Sequence, residues 1–139
     1  MDINFSFIVI DDSELDCFVT RKFLERTNES LIISTFQSAQ HALETIRENP
    51  AGDNSIPTII LLDLQMPFMN GFEFVEEFEK LSAEVQKNYM IIILTILSSV
   101  NNPGDIYRIY NFGTVKSIIE KPLNKEKLIS LLNYIRPAI

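Results

Sequence analysis

Five short apolar runs, none long enough to cross a membrane, set the strongest limit on how this chain can fold. They cover residues 5–10, 31–36, 58–62, 90–97 and 115–119. The first, FSFIVI, is rich in Phe, Ile and Val, and the third, TIILL, is apolar almost throughout. Runs of that kind, short and with little alternation, are expected of strands buried on both faces of a parallel sheet.

Helical spacing fills the gaps between the runs. Ser13 can cap a helix whose third position is Asp16, with Leu15, Phe18, Val19 and Phe23 as its stripe to about Arg26. Ser38 caps a second helix with Ala39, Ala42, Leu43 and Ile46 facing inward, closed by Pro50, Ala51 and Gly52. Asn70 and Glu73 form an N-cap pair ahead of Phe74, Val75, Phe78 and Leu81, and residues 82–87 either extend that helix or add a short one. Helices over 103–112 and 124–135 complete the pattern, the last with Leu128, Leu131, Leu132 and Ile135 inward. Five strands alternating with five helices predict an α/β fold, a doubly wound open parallel sheet covered on both faces.

The chain has 139 residues, 46% of them apolar, which predicts one domain over 1–139 with no output domain. Its net charge of -7 repels nucleic acid and anionic membranes, so direct DNA binding and membrane attachment are not expected. The start MDINFSFIVIDD lacks the basic n-region of a signal peptide, and no run approaches the roughly 18 apolar residues of a span. Cys17, the single cysteine, excludes an internal disulfide and a cysteine metal cluster. A soluble protein of the reducing cytoplasm is expected.

Ligands of open parallel sheets sit outside the carboxyl ends of the strands. Asp11 and Asp12 follow the first run, Asp63 the third, and Lys121 with Pro122 the fifth. If the sheet forms, these groups converge. Clustered carboxylates repel, so one keeps a proton or the group binds a cation, and an all-oxygen set favours a hard ion. Magnesium completes its shell with water and phosphate oxygens, and a carboxylate is a competent phosphoryl nucleophile. Lys121 supplies fixed positive charge, and a hydroxyl from the fourth strand can bind a phosphoryl oxygen.

The motifs IVIDDSE (8–14), LLDLQMPFMNGFEF (61–74) and EKPL (120–123), in that order and at strand ends, resemble the receiver domain of two-component response regulators. The similarity covers nearly the whole chain. It implies a flavodoxin-like, CheY-like (βα)5 fold with strand order 2-1-3-4-5. It implies that Asp63 accepts a phosphoryl group from a sensor histidine kinase or a histidine phosphotransfer protein. Asp12, Asp63 and the Gln65 backbone carbonyl would bind Mg2+, for which Mn2+ could substitute, with Asp11 contacting it through water. Lys121 would bridge to the phosphoryl group, and the bond before Pro122 would be cis.

Two departures matter. The family places a Ser or Thr at the end of the fourth strand followed by a small residue. Ser98, followed by Ser99, is preferred as that hydroxyl over the alternative, Thr95, whose neighbour Ile96 would crowd the phosphate. Ile118 stands where an aromatic residue usually sits three positions before the lysine.

Asp16, Asp53 and Asp105 read as two helix first-turn acids and a loop residue, and His41 as a surface residue of the second helix, all without a site role. Cys17 is expected near the core. Tyr107 and Tyr110 are candidates for an output face.

The leading expectation is a switch that is not an enzyme beyond its own phosphorylation and slow dephosphorylation. Its surface would change around the helix over 103–112, the strand over 115–119 and the final helix, for an unidentified downstream protein, as a monomer or phosphorylation-dependent dimer. A constitutive interaction module of the same fold, without phosphotransfer, is the alternative. A magnesium-dependent phosphohydrolase is disfavoured, because Gln65 stands where such enzymes carry a second acid.

Overall fold

Every apolar run becomes a strand of one parallel sheet in the computed structural model, which describes residues 3–52, 56–97 and 103–136. The elements in chain order are β1 (Ser6–Ile10), α1 (Glu14–Thr27), β2 (Ile33–Phe36), α2 (Ala39–Glu48), β3 (Thr58–Leu62), α3 (Gly71–Phe78), α4 (Ala83–Gln86), β4 (Tyr89–Thr95), α5 (Pro103–Asn111), β5 (Val115–Glu120) and α6 (Lys125–Ile135). The strand order is β2-β1-β3-β4-β5, as expected for this fold.

The lack of hydropathic alternation has a direct cause, since successive side chains point to opposite faces and both faces are covered. Phe7, Val9, Ile59, Leu61, Ile92 and Leu94 join Cys17 and Leu24 of α1 and Leu128, Leu131 and Leu132 of α6 in one core. Ile10, Ile60, Leu62, Ile91 and Ile93 join α2, α3 and Ile109 of α5 in the other.

Helix starts follow the cap residues. Asn70 and Glu73 form a reciprocal capping box, while Ser13, Ser38 and Asn124 each accept an amide of the first turn. Residues 82–87 give a separate short helix, α4, so six helices stand among the described residues rather than five. The Gln86 amide closes the preceding turn by donating to the carbonyls of Glu79 and Leu81.

Two expectations are corrected. In α1 the buried residues are Cys17, Thr20 and Leu24, while Leu15, Phe18 and Val19 face solvent. The cap at Ser13 starts the helix directly after β1, and the Cys17 thiol donates to the Asp11 carbonyl at 3.2 Å. That contact turns the smaller side chains inward. The second correction concerns β4, which ends at Thr95 instead of residue 97. Its partner strand ends at Glu120, Lys121 N–H donates to the Thr95 carbonyl at 2.8 Å, and the following Pro122 has no N–H to continue the ladder.

The reversed face of α1 is open to test by urea unfolding. Leu24→Ala should lose about 2–5 kcal/mol, whereas Phe18→Ser should stay within about 0.5 kcal/mol of wild type. The opposite order would place the wrong stripe inside.

Candidate functional site

The site is a product of register. β1 lies between β2 and β3, so the direction of sheet growth reverses beside it, and Ile10 pairs with Leu62. The residues that follow those two, Asp11 and Asp63, therefore emerge side by side, and the Asp63 amide donates to the Ile10 carbonyl at 3.0 Å. On the other side Thr95 pairs with Glu120, which delivers Lys121 to the same edge.

Asp11, Asp63 and Thr95 are buried, and Asp12 is exposed. Carboxylate oxygens of Asp11, Asp12 and Asp63 lie within 4.8 Å of one another. The Thr95 hydroxyl donates to Asp63 Oδ1 at 2.8 Å, and Lys121 Nζ stands 3.5 Å from Asp63 Oδ2. Asp11 Oδ1 accepts the Ser13 amide at 2.9 Å and its Oδ2 accepts Lys121 Nζ at 2.5 Å. The bond between Lys121 and Pro122 is cis, as the resemblance implied.

Charge follows from this packing. Burial pushes the Asp11 carboxyl above its ordinary value; hydrogen bonds from Lys121 and the Ser13 amide oppose that, while the charge of Asp63 adds to it. The lysine is shared among several acids, so it does not fully compensate any one of them. For Lys121, burial disfavours the ammonium, but its bonds to Asp11 and Asp16 and the charge of Asp63 outweigh that and hold it above its usual range. Cys17 is pushed up to about 11 by burial and by the nearby Asp11, so it remains a thiol.

Every sequence-predicted acid of the triad and the lysine thus meet. Thr95, the alternative hydroxyl, is on Asp63, and Ile96, which argued against it, is half-exposed at the edge. Ser98 and Asp53 lie outside the described residues. Gln65 is an exposed residue of the loop after β3. Ile118 packs, half-buried, against the core on the α3 and α5 side. Phe72 also packs partly buried there, beneath the Arg108 guanidinium at 4.8 Å. His41 sits in the first turn of α2 with its ring edge-on to Phe36. Asp105 is a first-turn acid of α5, as expected.

Two residues escaped the sequence reading. Asp16 is more than a first-turn acid, because its Oδ2 accepts Lys121 Nζ at 2.8 Å. Gly71 lets the β3–α3 loop close: a Cβ there would lie 2.7 Å from the Asp63 carbonyl oxygen and 2.8 Å from Leu64 Cα. Its place beside the Asn70 cap, inside the motif that contains Asp63, was the available signal.

Residues 7–133 match the family model described as response regulator receiver domain. The chain belongs to that family. A response regulator receiver protein from Dyadobacter fermentans is 33% identical, with TM-score 0.77 over 93% of this chain and 95% of that one. A two component response regulator from Cytophaga hutchinsonii shares the fold at 23% identity and TM-score 0.79, over 95% of this chain and 96% of that one. Among curated proteins, the probable methanogenesis regulatory protein FilR2 of Methanothrix harundinacea is 24% identical over 89% of this chain and 76% of its own length. The probable C4-dicarboxylate response regulator DctR of Halalkalibacterium halodurans is 22% identical over 90% of this chain, which spans 48% of that protein. Receiver domains generally bind magnesium at an acidic pocket, and the all-oxygen set of Asp11, Asp12 and Asp63 fits such a hard cation. The family also implies interaction with histidine kinases or phosphotransfer proteins. Among the described residues, no helix is long and apolar enough to cross a membrane.

Two outcomes follow for stability. Gly71→Ala should cost about 1–3 kcal/mol, since the added methyl meets backbone rather than a flexible side chain, measured by urea unfolding. For Asp11, the folded-state pKa lies above the unfolded one, so its favourable contribution exists below the ordinary 3.8 and is lost as pH rises through the raised value. In metal-free buffer the stability of Asp11→Asn relative to wild type should therefore improve as pH rises above 3.8. A difference independent of pH would refute the raised value.

Proposed function

We propose that this receiver domain is a phosphorylation-controlled switch in which Asp63 accepts a phosphoryl group with magnesium. The observation that carries this reading is the setting of the Asp63 carboxylate. One oxygen meets the Thr95 hydroxyl, the other faces Lys121, and two further acids stand within cation-sharing distance.

An Asp63 oxygen attacks the phosphorus of a phosphohistidine on a sensor kinase or phosphotransfer protein. The O–P bond forms as the P–N bond breaks, and the imidazole leaves with the electron pair and takes a proton. The reaction needs in-line positioning and neutralised charge rather than elaborate covalent chemistry. Asp11, Asp12 and Asp63, with the Gln65 backbone carbonyl, would hold the magnesium ion, which would supply charge neutralisation at the transferring group. Lys121 contacts a phosphoryl oxygen. Thr95 takes the hydroxyl role, because its side chain already reaches Asp63.

No external substrate is turned over; slow self-dephosphorylation is the only hydrolysis. The product is a changed surface on α5, β5 and α6, where Tyr107, Tyr110 and Tyr134 are exposed, presented to a downstream protein in the cytoplasm. A constitutive interaction module is the second reading. It is favoured only by Ile118, an aliphatic residue where a switching ring is usual.

Intact mass after incubation with acetyl phosphate tests the reading. Wild type should gain one phosphoryl group only with magnesium, and Asp63→Asn none. Thr95→Ala should still gain mass but lose the amide chemical-shift changes at Tyr107 and Tyr110. Labelling that persists in Asp63→Asn would remove Asp63 as the acceptor, and no labelling of a folded wild type by acetyl phosphate or phosphohistidine donors would favour the interaction module.

A further inference from the structure

The Lys121 ammonium has three N–H donors and three carboxylates around it. Its distances are 2.5 Å to Asp11 Oδ2, 2.8 Å to Asp16 Oδ2 and 3.5 Å to Asp63 Oδ2. The longest contact is with the proposed nucleophile. The two shorter ones lie on the loop after β1 and on the first turn of α1, so the ammonium is drawn to that side of the site. Asp16 stands outside the group of acids, Asp11, Asp12 and Asp63, whose oxygens lie close enough to share a cation. A metal bound by that group would compete with Lys121 for Asp11 and Asp63 and leave Asp16 as its undisturbed partner.

We infer that Asp16 is a positioning residue that holds the Lys121 ammonium on the α1 side, off Asp63, and so weakens its grip on an arriving phosphoryl group. This rests on the phosphoacceptor reading of Asp63 and deepens it by naming a residue that regulates the same site. The pair is built for the role. Lys121 is largely buried, with a side chain 13% exposed, so it has few alternatives to its acidic partners. Asp16 is fixed by the helix start, where its amide donates to the Ser13 hydroxyl at 3.1 Å, and Ser13 in turn donates its own amide to Asp11. One short segment thus places both acids that compete with Asp63 for the lysine. The carboxylate of Asp16 is itself 39% exposed, which keeps the effect modest.

The test uses trifluoroberyllate, an anion of phosphoryl geometry, titrated with magnesium into the full chain. Asp16→Asn should bind it about two- to fivefold more tightly than wild type, the scale of a partly exposed ion pair. Glu14→Gln, an exposed acid of the same helical turn, is the control for a simple change of net charge. In the metal-free protein, the Lys121 side-chain ammonium resonance should shift in Asp16→Asn and stay in place in Glu14→Gln. Equal affinities in the two variants, weaker binding in Asp16→Asn, or an unmoved Lys121 resonance would overturn the inference while leaving Asp63 as acceptor. Wild type that fails to bind the anion at all would sink the phosphoacceptor reading and take this inference with it.

Discussion

Parallel pairing of β1 with β3 is the constraint on which the rest of the structure depends. With Ile10 opposite Leu62, the first residue past each strand is an aspartate, and the chain has no freedom to separate them. A shift of the pairing by one residue would move every side chain of a strand to the other face, and both faces are already committed to cores. Two buried apolar layers therefore hold two like charges together. The repulsion at the site is sustained by hydrophobic burial spread over the whole sheet, and it is partly offset by Lys121.

That lysine depends on the other end of the sheet. β5 is an edge strand, so the position of Lys121 is set by its bonds to β4 and by its ionic partners. The Thr95–Glu120 pairing and the Lys121 amide bonded to the Thr95 carbonyl place hydroxyl and ammonium on one rung. The bonds from Lys121 Nζ to Asp11 and Asp16 then tie this edge back to α1 across the mouth of the site.

Much of this was legible in the sequence because it rests on local pattern. The runs before Asp11 and Asp63 are apolar at almost every position, so their ends, and hence the acids, could be placed. Cap residues such as Asn70 with Glu73 mark helix starts by chemistry that acts within four residues. What was not legible depends on partners distant in sequence. The end of β4 is decided by where β5 stops offering amides, which is why residues 96 and 97 looked like strand. The rotation of α1 is decided by how its first turn meets β1, and bulky Leu15 and Phe18 are more apolar than Cys17 and Thr20, which go inside. Asp16 was missed for the same reason, since its role exists only once that rotation brings it to Lys121.

The same rung bears on how a change at Asp63 can travel. Thr95 and Lys121 are joined through backbone, so the two groups facing Asp63 are tied to the β4–β5 edge. Ile118, paired with Ile93, contributes its side chain to the core that also includes residues of α3 and α5. An aliphatic side chain in that place has no ring to swing between a buried and an exposed rotamer. In the proposed switch, a change at the site would have to reach α5 by displacement of packed elements, and the half-buried contacts of Ile106, Phe112 and Val115 on that face are where it would be absorbed.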